Sequence, residues 1–352
     1  MDVINLISKD QDNIYQDSPI KGHSVSANGP RVHEYIRELT DNVFSKYDVM
    51  TVGEAPAVTT KEAIQYASND GKEMSMVFQF ELMDVDGGEK QKWSDERFKL
   101  TDVKAILRKW QIDMHGRAWN SLFWNNHDQP RVVSRFGDTS SKETWEKSAK
   151  MLATAQYFLQ GTPYIYQGEE LGMTNIEFKN IELRDIESIN SYHQYVEVEK
   201  MFTPEEMLRF INKSSRDHAR TPMQWNDLET AGFSDAEPWI KVNQNYKWLN
   251  AQAQITDENS IFNYYKKMIS ILKENEVVQF GDYQEYYEDS NEVYVYKREY
   301  DGKKLFVLSN FTAKEVTYDK TLFEAEAKVL LGNYNDLIRG KLRAYEAVVL
   351  VV

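Results

Sequence analysis

Short apolar runs alternate with amphipathic helical stretches through residues 1–276, and this alternation limits the folds open to the chain. Val3, Ile4, Leu6 and Ile7 read as a short buried strand running into a turn. Val32, Ile36, Leu39 and Val43 recur at helical spacing behind Pro30, a residue suited to a first helical turn. The run DVMTVGEAP follows, then MSMVFQFEL (74–82), a helical stretch near 101–114, and SLFWNN (121–126). Trp145, Ala149, Leu152, Ala155 and Leu159 mark one helix face over 142–160. Gly161 and Pro163 stop that helix, and YIYQGEE (164–170) reads as the next strand. Strands in alternation with helices predict parallel βαβ units. Each run ends in polar, ionisable residues, as at the site-bearing face of a parallel barrel. A doubly wound sheet would order its elements similarly, but no glycine-rich phosphate turn is present.

The period then changes. After a helix near 259–273, with Ile261, Tyr264, Met268 and Ile271 on one face, the segment NEVYVYKREYDGKKLFVLSNF alternates with period two. Its Asp301-Gly302 pair is a strong hairpin signal. KVLLGNY and YEAVVLVV add further strands. The sequence therefore predicts a parallel barrel part over 1–276 and an antiparallel β domain over 277–352.

Composition narrows the partners. The 352 residues include 56 Asp and Glu against 42 Lys and Arg, for a net charge of -14. Such a balance disfavours nucleic acid, which needs a basic surface. No cysteine is present, so neither a disulfide framework nor a thiolate metal site is expected. No apolar run nears the roughly 20 residues of a membrane span, and no leader is evident, so a cytoplasmic location is expected. Eight Trp and 21 Tyr suit either aromatic cores or a site where flat rings pack on sugar faces.

Asp2, Glu54 and Asp128 each stand beside a short apolar run. Two carboxylates flanking a bond are what glycoside hydrolysis requires, one to attack or activate water and one to protonate the leaving oxygen. A third can stabilise charge on the sugar ring, and crowding raises carboxyl pKa values. Acidic residues are also ordinary at strand ends and helix caps, so spacing alone leaves both readings open. His127 next to Asp128 lacks a second histidine at ligand spacing, and no metal is expected there.

MDVINLISK, TVGEAP, WNNHDQPR, GTPYIYQGEE and SRDHARTPMQW, in that order, resemble consecutive signature segments of the α-glucosidase branch of glycoside hydrolase family 13. The resemblance runs from residue 1 to about 225, and the β tail resembles that family's C-terminal domain. It implies the C-terminal part of a (β/α)8 TIM barrel, about strands 4–8, and retaining hydrolysis of α-linked gluco-oligosaccharides. Asp2 matches the nucleophile, Glu54 the general acid/base and Asp128 the third carboxylate, which grips the sugar hydroxyls. His127 matches a hydroxyl-binding histidine, and Asp217 and Arg220 match a clamp on the terminal glucose. The bland alternatives are a salt bridge between Arg220 and Asp217 alone and a buried hydrogen-bonded His127. Lys92 and Glu187 fall where related enzymes hold the second sugar. Val3, directly after the nucleophile position, resembles the α-1,6-acting members, although a methyl-sized difference is worth only about 1–3 kcal/mol. A relative acting on trehalose 6-phosphate would need a basic phosphate pocket, and an α-1,4-glucosidase is a further alternative.

The resemblance also marks what the chain lacks. The Gly-Phe-Arg run before the nucleophile, the first three barrel strands, the inserted domain, the early Asp–His motif and the calcium loop have no counterpart here. No cofactor is therefore expected. Two hypotheses follow: the C-terminal part of an α-glucosidase, active with the remainder supplied, or a catalytically silent fragment or scaffold subunit.

Overall fold

The structure, a computed structural model, describes residues 1–9, 27–88, 91–179, 182–323 and 327–352. The chain divides into two compact units: Met1–Val85 with Asp102–Leu122 and Leu159–Tyr164, and Asp86–Thr101 with Phe123–Phe158 and Ile165–Val352.

The first unit carries a parallel ladder. Its strands are β1 (Val52–Glu54), β2 (Met76–Phe78), β3 (Ser121–Leu122) and β4 (Thr162–Pro163). β1 pairs with β2, Val77 bridges to Asn120 ahead of β3, and β3 pairs with β4, all in parallel. Met1 extends the ladder beyond β1. Its amine donates to Val52 O at 2.6 Å, and its carbonyl accepts from Glu54 N at 3.0 Å, a parallel bracket around Gly53. Helices α1 (Val32–Asn42), α2 (Thr60–Tyr66) and α3 (Leu100–Met114, from Asp102 onward in this unit) alternate with the strands. The apolar stripe of α1 buries Val32 and Ile36 in a core with Ile4, Tyr66, Val77, Trp110 and Met114. α2 begins at a reciprocal capping box, Thr59 with Glu62.

Two expected strands take other forms. In MDVINLISK only Met1 joins the ladder, and Ile4–Leu6 is a turn of 3-10 helix. The chain leaves the sheet at Val3, whose φ of 35° lies in the left-handed region that β-branched residues avoid. Ile4 is nonetheless buried, because the turn folds it onto Gly53. Asn5 Nδ2 ties the turn to Pro56 O at 2.7 Å. YIYQGEE is also not a strand: β4 lies just before it at Thr162–Pro163. After Tyr164 N donates to Leu122 O at 2.8 Å, the chain runs into a 3-10 turn at Glu169–Leu171. SLFWNN pairs only over its first two residues, and Asp128, six residues on from Leu122 in the chain, lies in a turn.

In the second unit come α4 (Val132–Phe136), α5 (Lys142–Tyr157), α6 (Ile186–Tyr192), α7 (Pro204–Ser214), α8 (Ala251–Thr256), α9 (Ile261–Glu274) and α10 (Glu276–Phe280). An antiparallel sheet follows, in the order β5 (Asp282–Tyr286), β6 (Val293–Tyr300), β7 (Lys303–Asn310), β11 (Ala347–Val351), β9 (Lys328–Gly332). A small pair, β8 (Val316–Thr317) with β10 (Lys341–Leu342), stands beside it. The β6–β7 hairpin turns on Asp301 and Gly302, both at positive φ (49° and 75°), as the two-residue turn requires. α5 packs against β7 and β11, and Val295, Leu308, Val348 and Leu350 form the sheet's core. No helix among the described residues is long and apolar enough to cross a membrane.

Candidate active site

The residues singled out in the sequence fall in both units: Asp2, Val3 and Glu54 in the first, Lys92, His127, Asp128, Glu187, Asp217 and Arg220 in the second.

In the first unit, Asp2 and Glu54 are register neighbours. Met1 stands opposite Gly53, and the next residue of each segment is a carboxylate, at the same C-terminal end. Gly53 is required here: a Cβ would stand 2.5 Å from Ile4 Cδ1. Asp2 is exposed and Glu54 half-buried.

In the second unit, Arg220 organises the turn that carries Asp128. Its Nη2 donates to Asp128 Oδ1 at 2.6 Å, its Nη1 to Asp185 Oδ1 at 3.3 Å and its Nε to His127 O at 3.0 Å. His127 Nε2 lies 3.7 Å from the same Asp128 oxygen, and its ring is more exposed than buried. Arg216 approaches from the other side, with Nη1 at 3.6 Å from Asp128 Oδ1, Nη2 at 2.9 Å from Asp185 Oδ1 and Nε at 3.1 Å from Glu187 Oε2. Lys92 Nζ closes the group on Glu187 Oε2. Glu187 sits in the first turn of α6, where the helix N-terminus favours a carboxylate.

Asp217 does not join this cluster. It is fully buried, its Oδ2 accepts from Arg184 N (2.9 Å) and Asp185 N (3.0 Å), and Arg220 is no ion partner of it. It organises backbone instead of facing the solvent side where Asp128 and His127 lie.

Three contributors are missing from the sequence reading. Asp185 caps α6, accepting from Ser188 N at 3.1 Å, while its other oxygen receives both arginines. Burial works to raise its pKa, but the Arg216 hydrogen bond, the Ser188 N–H and the two guanidinium charges hold it below the ordinary carboxylate value. The Asp-x-x-Ser spacing before an apolar pattern was the available signal. Arg216, adjacent to Asp217 in SRDHAR, is held above the ordinary arginine value against the opposing effect of burial, through Asp185, Glu187 and Asp128. Arg131, at the end of HDQPR, is buried and ties three stretches together. It donates to His218 O at 3.0 Å, Gln167 O at 2.6 Å, and Ala219 O and Thr221 Oγ1 at 3.2 and 3.3 Å. Its acceptors are mostly backbone carbonyls, which no sequence pattern announces.

A parallel strand and helix series with carboxylates at its strand ends, followed by an antiparallel β domain, is the architecture of the α-amylase family. The chain belongs to that family, glycoside hydrolase family 13: the profile of the alpha-amylase catalytic domain matches residues 1–281. Among relatives, it is 46% identical over 361 residues to the oligo-1,6-glucosidase of Bacillus cereus, covering 99% of this chain and 64% of that protein. It is 44% identical over 358 residues to the trehalose-6-phosphate hydrolase of Bacillus subtilis, covering 99% and 63%. Among solved structures, trehalose-6-phosphate hydrolase of Bacillus licheniformis superposes with a TM-score of 0.92 at 44% identity, over 99% of this chain and 64% of that one. Isomaltulose synthase of Klebsiella sp. LX3 gives 0.91 at 33% identity, over 99% and 64%. The chain thus spans about 64% of the length of the B. cereus relative.

Proposed function

We propose that this chain is the C-terminal part of a retaining α-glucosidase that releases glucose from the non-reducing end of α-1,6-linked gluco-oligosaccharides in the cytoplasm. The observation that carries this reading is the register of Met1 with Gly53, which sets Asp2 and Glu54, the residues that follow them, beside one another at the same end of the ladder. Asp2 attacks the anomeric carbon while Glu54 gives its proton to the glycosidic oxygen, so one C–O bond forms as the other breaks. Glu54, now a carboxylate, takes a proton from water, and the resulting hydroxide displaces Asp2 with net retention. Asp128, fixed by Arg220, grips the sugar hydroxyls beside His127. Lys92 and Glu187 hold the second sugar, and the branched Val3 side chain shapes the pocket toward the 1,6 linkage. By resemblance Asp217 matches the clamp on glucose; its full burial favours a supporting part in that clamp. No step in this scheme calls for a cofactor.

The likeness to trehalose-6-phosphate hydrolases supports a second reading, with a phosphorylated disaccharide as substrate. The deciding experiment measures glucose release from isomaltose, maltose, trehalose 6-phosphate and p-nitrophenyl α-glucoside, by this chain alone and with a co-expressed N-terminal segment of the parent length. Turnover of isomaltose that Glu54→Gln abolishes supports the proposal. A folded, complemented protein with no turnover of any of these substrates would sink it in favour of a scaffold. A preference for maltose that Val3→Ala leaves unchanged would remove the linkage argument.

A further inference from the structure

Behind Asp128 lies a closed ring of buried polar contacts with no part in the chemistry described so far. Asp217 Oδ2 accepts the amides of Arg184 and Asp185, which fixes the backbone where α6 begins. Asp185 Oδ2 accepts from Ser188 N and from Ser188 Oγ (3.2 Å). Ser188 Oγ meets Ser215 Oγ at 2.9 Å, and Ser215 Oγ accepts from Asp217 N at 3.2 Å, completing the ring. Asp185, Ser188, Ser215 and Asp217 are all buried, so none of them reaches a sugar.

Asp185 is the member that faces outward electrically. Its Oδ1 receives both Arg216 and Arg220, and both arginines also approach Asp128 Oδ1. Two guanidiniums packed against one partly exposed carboxylate repel each other, and each side chain is only about three-quarters covered, at 24% and 26% exposure. A buried anion between them offsets that repulsion and sets their direction. We propose that Asp185, held by Asp217, is a positioning residue: it orients Arg216 and Arg220 so that they fix Asp128 for substrate. The consequence for catalysis rests on the hydrolase reading above; the consequence for geometry does not.

The test has two arms. Asp185→Asn and Asp185→Ser both keep an oxygen able to cap α6 and are expected to fold. Crystal structures of these two variants of the chain are expected to show Arg220 Nη2 beyond hydrogen-bond reach of Asp128. If both guanidiniums stay on Asp128 in both variants, the proposal is overturned. The second arm uses the complemented enzyme and p-nitrophenyl α-glucoside. Asp185→Asn is expected to lower kcat/KM roughly 10- to 100-fold, the scale of a charged hydrogen bond. Introduced into Asp128→Asn, it is expected to cost less than about twofold more, because it acts through that carboxylate. A full, multiplicative loss in the Asp128→Asn background would overturn the positioning role. If the wild-type complemented enzyme releases no glucose, the hydrolase reading fails on its own, and the crystal structures still decide the role of Asp185.

Discussion

Arg220 reaches across 92 positions of sequence to place Nη2 at 2.6 Å from Asp128 Oδ1, while its Nε holds the carbonyl of the neighbouring His127. One planar side chain thereby fixes both the carboxylate and the backbone that carries it. On the proposed function, a pocket that holds a sugar ring to a fraction of an ångström gains from a partner whose donors point in set directions.

Arg220→Lys keeps the charge and loses the fork. A lysine ammonium can meet one of the three acceptors that Nε, Nη1 and Nη2 now serve. We expect kcat/KM of the complemented enzyme to fall roughly 10- to 100-fold. The thermal midpoint should move little, since the side chain is 26% exposed and fills no core. Steady-state kinetics beside a melting curve check the pair of outcomes; a large drop in both would point to lost folding in place of lost orientation.

Two buried groups should pull stability in opposite directions with pH. Glu169 Oε1 accepts from the hydroxyls of Tyr157 and Tyr265, at 2.6 and 2.9 Å, and burial pushes its pKa up to about 7 from 4.5. His218 accepts at Nδ1 from Ile176 N and donates from Nε2 to Ile211 O, and burial lowers it to about 4 from 6.5. The folded state binds a proton at Glu169 more readily than the unfolded chain, so that contribution is full below pH 4.5 and is lost as pH rises through 7. His218 resists protonation in the fold, so its contribution is full above pH 6.5 and is lost as pH falls toward 4. Each is worth roughly 3 kcal/mol and they largely cancel in between. Glu169→Gln should therefore unmask a loss of stability on acidification, and His218→Asn a loss on raising the pH. Urea midpoints at pH 5, 6 and 7 measure both slopes, and parallel behaviour of the two variants would contradict the assignment.

These groups also show where sequence reading stops. Helices α1, α3, α5 and α9 and the Asp301-Gly302 hairpin were legible because their period or turn chemistry is local. The barrel strands pair over only two or three residues, too few for a period to register, and a buried turn has the same apolar composition as a buried strand. That is why MDVINLISK and YIYQGEE look like strands in the sequence: Ile4 is buried by folding onto Gly53, and Tyr164 is the last residue to hold the ladder. At the site, the carboxylates were visible through their motifs. Asp185 and Arg131 were not, since their partners lie 35 and 87 positions away and only the fold supplies them.

Gly53 couples β1 to the Met1–Ile4 segment through packing. A Cβ there would meet Ile4 at Cδ1, Cγ1 and Cγ2, at 2.5, 2.8 and 3.1 Å, and Ile4 is itself buried among Ile36, Val77 and Trp110. Ile4 has little room to withdraw, so Gly53→Ala should destabilise by about 1–3 kcal/mol through overpacking. Adding Ile4→Ala, which costs stability alone, should then cost less than it does in the wild type. A double-mutant cycle by urea unfolding measures this coupling, and simple additivity would show that Gly53 is not what sets the approach of the two segments.

Arg298 in β6 offers the sharpest stability test in the antiparallel sheet. It is fully buried, with Nε and Nη2 on Gly281 O at 3.2 and 2.6 Å and Nη1 on Phe158 O at 3.1 Å, joining the sheet to the residue that ends α5. Burial brings its pKa down to about 10, so it remains charged at neutral pH, with no salt-bridged carboxylate among the described residues. Replacing a buried charge by an apolar side chain can be neutral when its partners find other donors. Met offers no N–H to either carbonyl, so the loss of hydrogen bonds should outweigh the relief of desolvation. We expect Arg298→Met to cost roughly 2–4 kcal/mol. The urea midpoint should fall with an unchanged m-value, because the same surface is exposed on unfolding. A midpoint equal to the wild type would mean that water or a shifted backbone donor serves Gly281 and Phe158 as well as the guanidinium does.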